Sequence, residues 1–165
     1  MGHRPKNPSL VPVRELINQV LLSHARGVLF DREPCRVVVL PEHIADLIGD
    51  KEIYLSEFVI AKVMGLVVGL VGHPEITRCI LERLPENLEN PIRILKDNRS
   101  EQKYLFIHAD PLHQVVVEIA RKETGKTEIN TIHLTNPDKL KKLEHKFPTV
   151  FSSGETPGPR MRASQ

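Results

Sequence analysis

A lysine, a carboxylate, a hydroxyl and an imidazole stand close together in the C-terminal half of this chain: Lys103, Glu118, Thr131 and His133. Carboxylate and imidazole can exchange protons with a substrate, an ammonium offsets growing negative charge, and a hydroxyl donates a hydrogen bond. Brought to one surface, such a set suits general acid–base chemistry at a centre where negative charge develops. Whether they share a surface depends on the backbone between them.

That backbone reads as an antiparallel meander. The stretch Lys103–Thr135 holds three apolar runs separated by two turn signals, Ala109-Asp110-Pro111-Leu112 and Glu123-Thr124-Gly125-Lys126. Runs rich in Val, Ile, Tyr, Phe and Thr, bounded by Asp, Pro and Gly, are strand-forming. With Thr124-Gly125 as a tight turn, Glu118 falls opposite Thr131, Val117 opposite Ile132 and Val116 opposite His133. Alternation then gives a core face of Tyr104, Phe106, Val115, Val117, Ile119, Ile132 and Leu134. The other face carries Lys103, Leu105, Val116, Glu118, Ile129, Thr131 and His133, provided the second hairpin closes with Lys103 near Glu118. A slip of one residue would scatter the four polar groups.

The remaining chain supplies the cover. Val13, Ile17, Val20, Leu21 and His24 recur at helical spacing over Pro12–Arg26. Arg36–Leu40 and Ile53–Leu55 read as short strands, each followed by a helix, at Pro41–Gly49 and from an N-cap at Ser56. Gly65, Gly69 and Gly72 interrupt the next apolar run, and a helix is expected from His73-Pro74-Glu75 with Ile76, Cys79, Ile80 and Leu84 on one face. Asn90-Pro91 leads into a strand over Ile92–Lys96. Lys139–Lys146 reads as a basic helix folding onto the sheet edge. The fold class is α+β, with N-terminal helices packed on one face of a four-stranded antiparallel meander sheet. A preamble over 1–51, a main domain over 52–147 and an unstructured tail over 148–165 follow.

Composition narrows the function classes. Twenty-three Lys and Arg against 21 Asp and Glu give a net charge of +2, so no global field attracts polyanions and any basic patch is local. Cys35 and Cys79 lack a CxxC spacing and read as buried thiols of a reducing cytoplasm, and no signal peptide is recognisable. The most apolar segment, Phe58–Gly72, is too short for a bilayer and contains Lys62, which points away from a membrane partner. No HxxxH, HExxH or Cys/His spacing supports a metal, no glycine-rich phosphate loop is present, and no cofactor is implied.

The His73-Pro74-Glu75-Ile76 segment after a helical region, the Glu89-Asn90-Pro91 approach to a strand, and a last strand reached through Gly125-Lys126-Thr127-Glu128-Ile129-Asn130-Thr131 carry a family likeness. Over Glu52–Thr135 the chain resembles the phage-associated branch of the barnase–EndoU–colicin–RelE nuclease superfamily. The resemblance implies N-terminal helices on a four-stranded antiparallel sheet, with RNA lying on the open sheet face. It further implies metal-independent endoribonuclease activity in a toxin or RNA-processing role, with an inhibitor or immunity protein as a protein partner. His73 matches the histidine of the family's His-Pro-Glu segment, whereas Lys62 stands near where related phage proteins often carry a second histidine.

Such cleavage needs a base for the 2′-hydroxyl proton, an acid for the leaving 5′-oxygen, and a cation or donor at the phosphate. Glu118 or His133 is the candidate base and the other the acid, with Lys103 neutralising charge and Thr131 donating. His73, expected at a helix start where phosphate is favoured, joins them, and Arg93 and Arg99 are candidate substrate ligands. Each has a structural competitor: His133 and Glu118 as partly buried, paired strand residues, His73 as a helix start, and Lys103, Arg93, Arg99 and the Lys139–Lys146 row as solvated charges. Two other functions stay open. One is a non-catalytic RNA- or protein-binding module on the same surface, although 4% aromatic residues leave little for base stacking. The other is an interaction protein forming a homo-oligomer through the glycine-spaced segment Val63–Val71.

Overall fold

The computed structural model describes residues 10–73, 75–100, 102–109 and 114–153. The first turn of the expected meander therefore lies largely outside the described residues, as does Pro74. Helix α1 (Val13–Arg26) buries Val13, Leu16, Ile17 and Val20 along one stripe, while Leu21 faces outward. Strand β1 (Cys35–Val39), helix α2 (Glu42–Ile48), strand β2 (Glu52–Leu55) and helix α3 (Glu57–Val63) follow. Ser56 caps α3, its hydroxyl accepting from the Val59 amide at 3.2 Å. Next come α4 (Arg78–Glu82), α5 (Leu84–Glu89), β3 (Arg93–Lys96), β4 (Lys103–Ala109), β5 (Gln114–Arg121), β6 (Thr127–Thr135), α6 (Pro137–Lys146) and β7 (Thr149–Ser152).

The α+β class holds, but the sheet is larger than a four-stranded meander and is mixed. Its order is β1-β2-β6-β5-β4-β3-β7, so the meander β3–β6 forms the centre and is extended at both edges. All neighbours are antiparallel except β2 and β6, which run parallel through Ile53↔Thr127 and Tyr54↔Glu128. Within the described part of the segment expected as a preamble, 10–51, α1 and β1 share one apolar core with α3–α5 and the central strands. Within the span expected to be an unstructured tail, Thr149–Ser152 forms β7 on β3.

The predicted register holds at Val116↔His133, Val117↔Ile132 and Glu118↔Thr131. It does so through two offsets that cancel. The loop is longer than a two-residue turn: the Lys122 amide donates to the Lys126 carbonyl at 2.8 Å around Glu123–Gly125, with Gly125 at φ 90°. That shifts the pairing by one, to Ile119↔Ile129, and a bulge then takes up Asn130 and restores the expected partners from Glu118 onward. The bulge also corrects one assignment, because Ile129 turns into the helix-covered core instead of joining Glu118.

Helix α6 corrects another. It lies across the second sheet face, not on the edge, and buries Leu140 with Phe147 against Leu95, Leu105, Ile107 and Val116. Asn136 caps it, accepting from the Lys139 amide at 2.9 Å, with Pro137 in the first turn. The face is therefore not open throughout. An apolar half sits under α6, and a polar strip runs beside it.

Candidate functional site

The polar strip is built where β5 and β6 leave the cover of α6. Glu118 sits directly opposite Thr131, and its Oε2 accepts from Asn130 Nδ2 at 3.2 Å and lies 3.3 Å from Lys103 Nζ. Lys103 pairs with Ala120 on the ladder, not Glu118, yet its side chain reaches the carboxylate from a neighbouring rung. Its ammonium also lies 3.8 Å from Asp97 Oδ2, so it is held between two carboxylates. Asp97 was not singled out by sequence. It is buried, and its carboxylate accepts from Arg99 Nε and a terminal guanidinium nitrogen, both at 3.1 Å, and from the Arg99 amide at 3.0 Å. The Arg99 hydrogen bonds hold the Asp97 carboxyl below its ordinary 3.8 against the opposing effect of burial.

His73 arrives by a different route. It does not start a helix, because Thr77 caps α4, its hydroxyl accepting from the Ile80 amide at 3.3 Å, and the helix begins at Arg78. The altered start rotates the helix, burying Ile80 and Leu81 and leaving Cys79 exposed. His73 is fixed instead by its amide, which donates to the Val63 carbonyl at 2.8 Å at the end of α3. This return is possible because Gly65 and Gly72 touch through their backbones: a Cβ on Gly72 would lie 2.4 Å from Gly65 Cα and N. Within the sheet, β2 pairs with β6 only as far as Glu128, which leaves the β6 edge beyond it to α3. There Lys62 Nζ donates to the Asn130 carbonyl at 2.8 Å.

The result is a histidine pair drawn from segments sixty residues apart in sequence, with His73 and His133 ring centroids 6.3 Å apart. His73 Nδ1 lies 3.5 Å from Glu75 Oε2. Burial, and then the neighbouring His73, push the His133 pKa below its ordinary 6.5, with Glu118 and Glu75 pulling the other way. His133 is thus neutral at pH 7, with a ring nitrogen able to take a proton.

Of the seven residues chosen from sequence, Lys103, Glu118, Thr131, His133 and His73 lie together, and Arg99 joins through Asp97. Arg93 does not. It ion-pairs with Glu144 of α6, and its charge serves to dock that helix. Asp97, Asn130 and Lys62 were missed. The Asp-Asn-Arg-Ser run could have marked Asp97 as a turn anchor, since Asp side chains accept amide bonds two residues on. Nothing local marks Asn130 as a bulge.

Among the described residues, no group of three or more His, Cys, Asp or Glu could hold a metal ion. Likewise, no helix is long and apolar enough to cross a membrane. The glycine-spaced segment is divided: Val63 is fully buried, whereas Val68 and Val71 are 98% and 91% exposed. Comparisons with protein-family models, curated proteins and solved structures find no match to this chain.

Proposed function

We propose that the chain is a metal-independent endoribonuclease of the barnase-like type, acting on the polar strip of the second sheet face. The observation that carries this reading is the histidine pair. Two imidazoles this close can meet one phosphodiester, one as base at the 2′-hydroxyl and the other as acid at the 5′-oxygen. His133, neutral at pH 7, takes the proton of the 2′-hydroxyl as its oxygen attacks phosphorus. The 5′-oxygen leaves and takes a proton from His73, whose ring is oriented by Glu75. A 2′,3′-cyclic phosphate and a free 5′-hydroxyl are the products. Lys103 and Thr131 face the charge growing on the phosphate. Glu118 acts as a positioning residue rather than the base, because Lys103 and Asn130 already occupy its Oε2.

The same pairing favours a second reading, a non-catalytic RNA-binding module, because Lys103 is already met by two carboxylates. Cleavage of a mixed RNA pool in EDTA separates the two. The wild-type chain should cleave, and His133→Ala and His73→Ala should each lose at least about a hundredfold in rate, the scale of general acid–base loss. A folded wild-type chain that binds RNA without cleaving it at high concentration would replace the nuclease by the module.

A further inference from the structure

The histidine pair leaves a basic row on α6 unused. Lys139, Lys142 and Lys146 line, with His133, one cavity of about 340 Å³ between α6 and the end of β6. Steps of three and four residues put the three ammonium groups on one helix face, spread over about 10 Å of axis. Among the described residues none of the three enters an ion pair, and the Glu144 carboxylate of the same helix is committed to Arg93. Like charges at such spacing destabilise a helix. The row is also firmly mounted, because Leu140 and Phe147 bury the underside of α6 on the sheet. A merely solvated face would have no reason to open onto the imidazole of the site; Lys141, on another side of the helix, is not among the residues around this cavity.

We infer that Lys139, Lys142 and Lys146 form a phosphate track for the single-stranded RNA flanking the scissile phosphate, a reading that rests on the histidine pair as the phosphate site. No aromatic ring other than the His133 imidazole lines the cavity. Contact is therefore to the backbone and tolerant of sequence, because base reading on single strands uses stacking platforms.

The probe is a short fluorescein-labelled 2′-O-methyl oligouridylate, which lacks the attacking hydroxyl and cannot be cleaved. Its binding to the full chain is followed by anisotropy between about 50 and 200 mM salt. Each lost single-strand phosphate contact flattens the log K against log salt slope by about 0.7, so Lys139→Gln/Lys142→Gln/Lys146→Gln should flatten it by roughly 2. A control of equal charge, Arg14→Gln/Lys51→Gln/Lys141→Gln, should leave the slope within about half of one such contact. An unchanged slope in the α6 variant, or an equal change in the control, overturns the track. Cleavage of a dinucleoside monophosphate reports on the histidine pair alone: Lys142→Gln/Lys146→Gln, which leaves the Lys139 charge beside His133 in place, should match wild type there while losing kcat/KM on long RNA. A wild type that cleaves neither substrate but shows the slope change keeps the track and removes the nuclease.

Discussion

Gly72→Ala probes the contact on which the site depends. The added methyl would stand 2.4 Å from both Gly65 Cα and Gly65 N and 2.9 Å from the Val63 carbonyl oxygen. All three are backbone atoms, so no rotamer change relieves the clash and the segment must move. Overpacking of this kind costs about 1–3 kcal/mol. For a chain of this length, 2 kcal/mol is roughly 4–8 °C in Tm. The movement is passed to the next residue, His73, whose amide bond to Val63 is the anchor. A displacement of about 1 Å costs on the order of a hundredfold in rate. The control is Gly69→Ala, at φ 85° with nothing within 4 Å of an added Cβ. It carries only the left-handed backbone penalty of about 1–2 kcal/mol and leaves His73 in place. Urea unfolding and RNA cleavage are measured on both. The reasoning is refuted if Gly72→Ala unfolds with the wild-type midpoint, or if both variants lose activity in proportion to stability alone.

Three further outcomes follow from the same geometry. The folded His133 pKa lies below 6.5, so as pH falls from 6.5 toward the folded value the unfolded chain takes up a proton that the folded chain does not. Stability should decline over that window, and His133→Gln should remove that part of the decline in urea titrations at stepped pH. The Asp97 carboxyl is also held low, so its contribution is complete above 3.8 and lost as pH falls through the lowered folded value. Asp97→Ala should cost about 1–3 kcal/mol at pH 7 by leaving the Arg99 amide and guanidinium without their acceptor and Lys103 with Glu118 alone, with a smaller further loss in acid than wild type. Glu118→Gln keeps the hydrogen-bonding shape but frees Lys103 from one carboxylate. Stability should change by less than about 1 kcal/mol, while the salt dependence of RNA binding steepens as the freed ammonium meets phosphate.

An inhibitor or partner protein and a homo-oligomer remain proposals, and the exposed pair Val68 and Val71 gives the surface on which to test them. Solution mass at several concentrations, with Val68→Ser/Val71→Ser as comparison, is the direct measurement; an apolar interface would hold its mass in high salt and lose it in the variant.

Sequence alone determined what depends on neighbours in the chain. The stripe of α1, the Ser56 cap and the two-residue alternation of β4–β6 are local, and each is set by side-chain size, backbone propensity and the direction successive Cβ atoms take. The facing of Glu118 and Thr131 was legible too, although only because a loop one residue longer than expected is offset by the bulge at Asn130. Tertiary structure decided the rest. Parallel pairing of β2 with β6, the mounting of α6 across the sheet, and the Gly65–Gly72 contact that turns His73 toward His133 join segments far apart in the chain. Their free energy comes from surfaces that exist only once the fold has closed, and a linear sequence carries no local signal of which surfaces will meet.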